Sequence, residues 1–270
     1  MRKLFLPLMA MVAVAVAVLN SGCNAAMTQG LVSAGNKLLQ ASAITDAQIE
    51  AYVSDFIRQM DAQNTIATGN DPYNVRLQRI AGPINNRDGI NIKVYKTPDV
   101  NAFAVADGSI RVYSGLMDVM SDEEVLGVIG HEIGHVKLNH TRRAFQDAII
   151  ASAVIDAAGA VAGSTSPLSE SAFGRLAGAL KSSNFSQRQE LEADDYAYNF
   201  LRAHGLNPWA MALSFEKLQQ MERQAGGHPT GGLAQLFSTH PDLDLRIRRM
   251  TERAIGDGYP KPAPGGSTRL

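Results

Sequence analysis

Cysteine is nearly absent from this chain. Its 270 residues include one, Cys23, so no intramolecular disulfide can form and the fold must rest on packing and polar contacts. An excess of one charge is absent too. The 25 Lys and Arg residues face 26 Asp and Glu, a formal net charge of -1. That balance excludes the broad basic field that recruits nucleic acid, and no acidic run forms a solvating tail. No internal repeat occurs, which excludes solenoids and propellers. Long apolar runs are few. Leu4 to Leu19 is shorter than the ~20 residues of a comfortable membrane span. Ala148 to Gly163 is also short and carries Asp156, so it reads as a packed or membrane-facing helix. What is present is 45% hydrophobic and 19% charged, enough for one substantial folded domain.

The N-terminus has the parts of a secretory signal: Arg2 and Lys3, an apolar core, then small residues. The alternative is an uncleaved anchor helix. Ser21-Gly22-Cys23 resembles the end of a bacterial lipoprotein signal. It departs from that pattern in two places: Leu19 lies one position too far from the cysteine, and Asn20 sits where an apolar residue is usual. The expected organisation is a signal peptide over 1–22, a lipoprotein tether over 23–44, a folded domain over 45–255 and a disordered tail over 256–270. A lipid on Cys23, followed by Asn24 and not Asp, implies anchoring on the periplasmic face of the bacterial outer membrane.

Thr45 to Met60 shows a helical stripe of Ile49, Val53, Phe56, Ile57 and Met60. A second helix is expected over Tyr73 to Ile80, ending near Gly82-Pro83. Ile90 to Tyr95, Asn101 to Val105 and Ser109 to Tyr113 read as strands. Asp107-Gly108 is a hairpin turn, where glycine relieves the strain of positive φ. These predict a small antiparallel sheet. Ser121 and Glu124 form a capping box that opens a helix to about His140, apolar on nearly every side and therefore a core helix. Gly127, Gly130 and Gly134 would let its neighbours approach closely. A loop is expected around Pro167. Ser186 and Gln189 open another capped helix to Ala203, ended by Gly205. Asn207-Pro208 starts the next, which runs to about Gln224. Gly226 to Gly232 reads as a loop, and Leu243 to Ile255 as the last helix.

His131-Glu132-Ile133-Gly134-His135 lies within the core helix. Histidines at i and i+4 share a face and can grip one metal ion, and the glutamate beside them can hold a water. Imidazole suits zinc, and a catalytic zinc site takes three protein ligands and keeps one place open. The competing readings are two satisfied core histidines or a purely structural zinc. In the helix after Ser186, Glu190, Asp194, Ala197 and Leu201 form one stripe, while Glu192, Asp195, Asn199 and Arg202 form the opposite, polar face. Inward carboxylates need a cation or donors. Glu190 is therefore the candidate third ligand. Asp194 is the candidate acceptor for the far nitrogen of a ligating histidine, with an ion pair to Arg188 or Arg246 as its alternative. His140 is expected at the end of the metal helix, His204 at a helix end and His228 in a loop.

At these residues the chain resembles the gluzincin metallopeptidases that include the HtpX and CAAX prenyl proteases. The resemblance extends to Asn101-Ala102-Phe103-Ala104, Gly108 to Val112, Phe185 to Glu190, and Ser238-Thr239-His240-Pro241 with Arg246-Ile247. It implies an α+β, mainly helical, zincin-like domain with one Zn2+ held by His131, His135 and Glu190, and Glu132 as the catalytic base. Polypeptides would lie along the strand of Asn101, Ala102 and Phe103. The implied function is hydrolysis of unfolded or damaged envelope proteins, with outer-membrane assembly partners a further expectation. His240 keeps three roles open: a fourth ligand that masks the site, a donor to the transition state, or a cap for the last helix. A closed four-ligand site would favour the rival function, a zinc-stabilised envelope chaperone or assembly lipoprotein with little proteolysis. The lipid anchor predicts a diacylglyceryl mass on Cys23 at the mature N-terminus; an unmodified Cys23 in mass spectrometry contradicts it.

Overall fold

The structure, a computed structural model, describes residues 45–151, 169–182 and 184–263. The expected signal peptide, the tether with Cys23, residues 152–163 of the alanine-rich stretch and most of the Pro167 loop lie outside the described residues.

Helix α1 (Asp46–Gln63) buries Ile49, Val53, Phe56 and Ile57, the stripe read from the sequence. Helix α2 (Pro72–Ala81) starts where the Asp71 side chain accepts from the Tyr73 N–H at 3.0 Å. Strands β1 (Asn91–Tyr95), β2 (Ala102–Ala104) and β3 (Ser109–Tyr113) follow, in the spatial order β1-β3-β2. β2 and β3 form the expected antiparallel hairpin, with Gly108 at φ 86° in its turn. The sheet as a whole is mixed and not antiparallel, because β1 runs parallel to β3, from Asn91 opposite Ser109 to Tyr95 opposite Tyr113. After β1 the chain is tied down at Thr97, which exchanges hydrogen bonds with Ser114. It then crosses to the far side of β3. A hairpin signal specifies only adjacent strands, so the partner of β1 is decided by this crossing.

Helix α3 (Ser114–Val119) leads to the capped α4 (Asp122–Lys137). Ser121 N–H donates to Glu124 at 2.7 Å and Glu124 N–H donates back to Ser121 Oγ at 3.3 Å. α4 is buried on every side, against α7 (Gln187–Ala203), α8 (Trp209–Gln224), α5 (His140–Ala151) and the sheet. A Cβ on Gly134 would stand 2.4 Å from the Ala193 carbonyl oxygen, and one on Gly127 would stand 2.0 Å from that of Ala210. The glycines therefore set how closely α7 and α8 approach α4. α4 ends earlier than expected: Asn139 at φ 59° breaks the chain, and His140 opens α5 instead of closing α4. Asparagine tolerates this left-handed conformation better than most residues.

Helices α6 (Glu170–Ser182) and α9 (Gly231–Thr239) were not anticipated, and α9 takes in the end of the expected 226–232 loop. α8 starts at Trp209, two residues after Asn207, whose Oδ1 accepts from the Trp209 N–H at 3.1 Å. α10 (Leu243–Gly256) closes the fold. Residues 257–261, assigned above to a disordered tail, are held against the domain. Trp209 Nε1 donates to the Tyr259 carbonyl at 2.8 Å, and Lys261 pairs with Glu216 at 3.1 Å. Residues 264–270 lie outside the described residues.

One buried charge ties α1 to the sheet. Arg111, 1% exposed on β3, reaches Asp61 at 2.8 Å, and Lys93 and Tyr95 each reach the same carboxylate at 2.7 Å. Partial burial works to raise the Asp61 pKa, but these donors prevail and hold it at about 2, against an ordinary 3.8. A depressed carboxylate adds stability above its unfolded pKa and loses it as pH falls through the folded one. Stability should therefore decline from about pH 4 towards pH 2. Asp61→Ala should cost about 3 kcal/mol in urea unfolding at pH 7, because it strands Arg111, and should flatten this acid limb. An unchanged urea midpoint at both pH values would show the cluster to be inert.

Candidate active site

His131 and His135 lie one turn apart on α4, in its most buried stretch. α7 brings Glu190 from its first turn and Asp194 from its second, both with no exposed surface. The stripe read from the sequence is buried as expected, while the side chains of Glu192 and Asp195 stay 46% and 44% exposed. His240 closes α9 at its C-terminus and turns inward. It does not cap α10; Asp242 holds that position, at φ 64°.

The ligand-type atoms of His131, His135, Glu190 and His240 all lie within 4.8 Å of one another. His131 Nε2 is 3.0 Å from His135 Nε2 and 3.1 Å from His240 Nδ1. Glu190 Oε1 is 3.2 Å from His135 Nε2 and 3.1 Å from His240 Nδ1. Four donors around a tetrahedral ion, at bonds of about 2.0–2.1 Å, stand roughly 3.3 Å apart. The tautomers point the same way. His131 Nδ1 faces Asp194 Oδ1 at 2.8 Å, and a proton held there leaves its Nε2 a lone pair. A metal ion would satisfy this convergence of lone pairs, and the donor set fits one.

Charge in the site is partitioned. Burial and Arg246 push His131 down, but Glu190 and Asp194 outweigh them and raise its pKa to about 9. Burial and the charge on His131 push His135 well below its ordinary value. The metal-free cluster thus keeps one imidazole charged and its neighbour neutral, which is positive charge that an ion would replace. Burial works to raise Glu190 and Asp194, yet the surrounding cations hold both below the carboxylate range.

Arg246, 1% exposed on α10, supplies much of that field. It lies 2.5 Å from Glu190 Oε2 and 2.8 Å from each Asp194 oxygen, with its guanidinium over the Phe215 ring. Asp194 therefore makes both contacts at once, to His131 and to Arg246. Arg188 instead pairs with Glu192 at 3.5 Å.

Glu132 lies beside the histidine cluster and lines a cleft of about 240 Å³. Its Oε1 is buried with no hydrogen-bond partner and lies 3.6 Å from His240 Nε2. Burial raises its pKa, while His240, His131 and the Ala104 backbone N–H oppose that rise. One wall of the cleft is β2 with its flanks, Asn101 to Val105. The opposite wall carries Phe56 of α1, Phe145 of α5 and Leu180 of α6. β2 is an edge strand. Asn101 and Val105 turn their backbone groups to β3, which leaves those of Ala102 and Ala104 on the other side. Asn101 Oδ1 accepts from the Ala102 N–H at 2.9 Å. His204 Nδ1 donates to the Phe200 carbonyl at 2.8 Å, at a helix end as expected.

The sequence reading missed Phe185 as a ring stacked on His135, with centroids 3.9 Å apart, and His140 as its neighbour. Asn139 was the available signal for His140, because a residue tolerant of positive φ marks where a helix can break.

A model of peptidase family M48 matches residues 77–254. Metalloprotease LoiP of Escherichia coli K12 is 43% identical over 251 residues, covering 92% of this chain and 97% of LoiP. Metalloprotease YcaL of the same strain is 36% identical over 230 residues, covering 84% and 87%. A β-barrel assembly-enhancing protease of Yersinia pestis is 29% identical and covers 90% of this chain, which spans 52% of that protein. The resemblance read from the motifs is borne out by these matches.

Arg246→Met should destabilise the metal-free protein by more than 3 kcal/mol, since it leaves two buried carboxylates with less counter-charge. The loss should shrink in the metal-loaded protein, where an ion still faces Glu190. Equal urea midpoints for variant and wild type, both metal-free, would contradict this account.

Proposed function

The chain belongs to peptidase family M48 and is a metalloendopeptidase; from that premise we propose that it is a zinc peptidase of the bacterial cell envelope that hydrolyses unfolded or damaged envelope proteins. The observation that carries the reading is the convergence of His131, His135 and Glu190 beside a buried Glu132 that opens on a cleft with an edge strand. Zinc, when bound there, supplies a Lewis acid for the water and the scissile carbonyl.

The chain's own residues do the rest. A substrate strand pairs with the open edge of β2 through the Ala102 and Ala104 carbonyls, since the Ala102 N–H is held by Asn101 and the Ala104 N–H by Glu132, and Asn101 and Phe103 help form that wall. Extended pairing and an apolar far wall together select unfolded polypeptide, because folded proteins expose few apolar side chains on free strands. Glu132 takes a proton from the attacking water and returns it to the leaving amine. Asp194 fixes the His131 tautomer, Arg246 keeps Asp194 ionised, and the neighbouring histidines with Arg246 keep Glu190 ionised.

The same reading places the protein on the periplasmic face of the outer membrane, anchored by a lipid on Cys23. Among the described residues, no helix is long and apolar enough to cross a membrane. The name of the Yersinia relative, which refers to β-barrel assembly, supports outer-membrane assembly partners.

A second reading draws on His240. Its Nδ1 lies at 3.1 Å from both His131 Nε2 and Glu190 Oε1, where a fourth ligand would stand. In that state the site is closed and proteolysis is latent, which is also what a chaperone-like role would require.

Glu132→Gln should keep its zinc and lower casein cleavage by about 10²–10⁴-fold, the usual contribution of a general base. Undiminished cleavage would sink the mechanism. For His240→Ala, faster cleavage supports latency and slower cleavage with zinc retained supports a donor role; an unchanged rate removes His240 from both.

A further inference from the structure

His135 has its own support, of a kind different from that of His131. One face of its ring stacks on Phe185, and its Nδ1 faces His140 Nδ1 at 3.2 Å. His140 is 1% exposed, and its Nε2 lies 3.4 Å from Glu192 Oε2. Glu192 sits on the polar face of α7 and meets Arg188 at 3.5 Å. The left-handed Asn139 makes the approach possible. On an unbroken α4, residue 140 would lie well round the helix from residue 135; the break turns His140 back over it.

We propose that His140 is a positioning residue for the metal centre, holding the tautomer and orientation of His135 and linking it to the solvent-facing carboxylate of Glu192. The proton positions admit one consistent assignment. If His135 presents the Nε2 lone pair to an ion, its proton is on Nδ1 and must be donated. The acceptor in reach is His140 Nδ1, so neutral His140 carries its own proton on Nε2. That proton points at Glu192, which accepts it. Asp194 anchors His131 directly, and Glu192 anchors His135 through an interposed imidazole. Such outer partners increase the basicity of a ligand and restrict its rotation, so their loss weakens metal binding.

This inference rests on the metal reading above, and zinc affinity separates the two. The metal-free full chain is titrated with zinc against a chelator of known affinity, for wild type, His140→Asn, His140→Gln, His140→Phe and Glu192→Ala. An asparagine amide oxygen stands near the place of Nδ1 and can accept from His135, whereas a glutamine amide reaches the place of Nε2. Phenylalanine keeps the ring and loses both nitrogens. The proposal expects His140→Phe and His140→Gln to weaken zinc by ~10–100-fold, His140→Asn to stay within about threefold of wild type, and Glu192→Ala to fall between. Urea midpoints of the metal-free variants identify any that are misfolded. A folded His140→Phe that binds zinc as wild type does would overturn the proposal. So would a folded His140→Asn as weak as His140→Phe, since packing and not the Nδ1 contact would then be responsible. A wild type that takes up no zinc would overturn the metal reading and this inference together.

Discussion

Glu190 and Asp194 lie one turn apart on α7 with no exposed surface, and the neighbouring histidines together with the buried guanidinium of Arg246 let both remain ionised. Two uncompensated carboxylates in a core would cost several kcal/mol each and would protonate instead. A protonated Glu190 would be a poor candidate ligand, and a protonated Asp194 could not hold a proton on His131 Nδ1. Arg246 comes from α10, so the last helix of the fold is bound to the same charges that shape the metal centre. The position of α10 is in turn secured by Asp195, which pairs with Arg249 and Arg253 on the exposed side of α7.

Packing sets the distances at which this electrostatic arrangement works. Ligand geometry tolerates errors of only a few tenths of an ångström. The α4–α7 contact is closed at Gly134, where the Ala193 backbone occupies the space of a side chain. That contact carries Glu190 to 3.2 Å from His135. The capping boxes at Ser121 and Ser186 fix where each helix begins, so the candidate ligands on both helices are held in rigid segments and not in loops.

Substrate access depends on a different part of the fold. β2 is short and sits at the sheet edge, and α1, α5 and α6 stand opposite it. Phe56 bridges this roof, packing on Phe145 of α5 at 5.7 Å and on Phe173 of α6 at 5.3 Å. The cleft is thus a gap between the sheet edge and a helical layer, with Glu132 and His240 at its base.

The sequence by itself determined the local features. Two capping boxes, the i, i+4 histidines, the inward face of Glu190 and Asp194, and the β2–β3 hairpin all depend on residues within a turn or two of each other. Helical and strand periodicity expresses those relationships directly. Tertiary structure alone decided the rest. His240 is 109 residues from His131 and Arg246 is 115, and no period connects residues so far apart. The parallel pairing of β1 followed from a crossing that no turn signal encodes. Helix α6 belongs to the roof through burial of Ala172, Phe173 and Leu176 on a face that acquires meaning only against its neighbours. His140 is the sharpest case: counted along a continuous helix it points away from His135, and a single left-handed residue, Asn139, brings the two rings together.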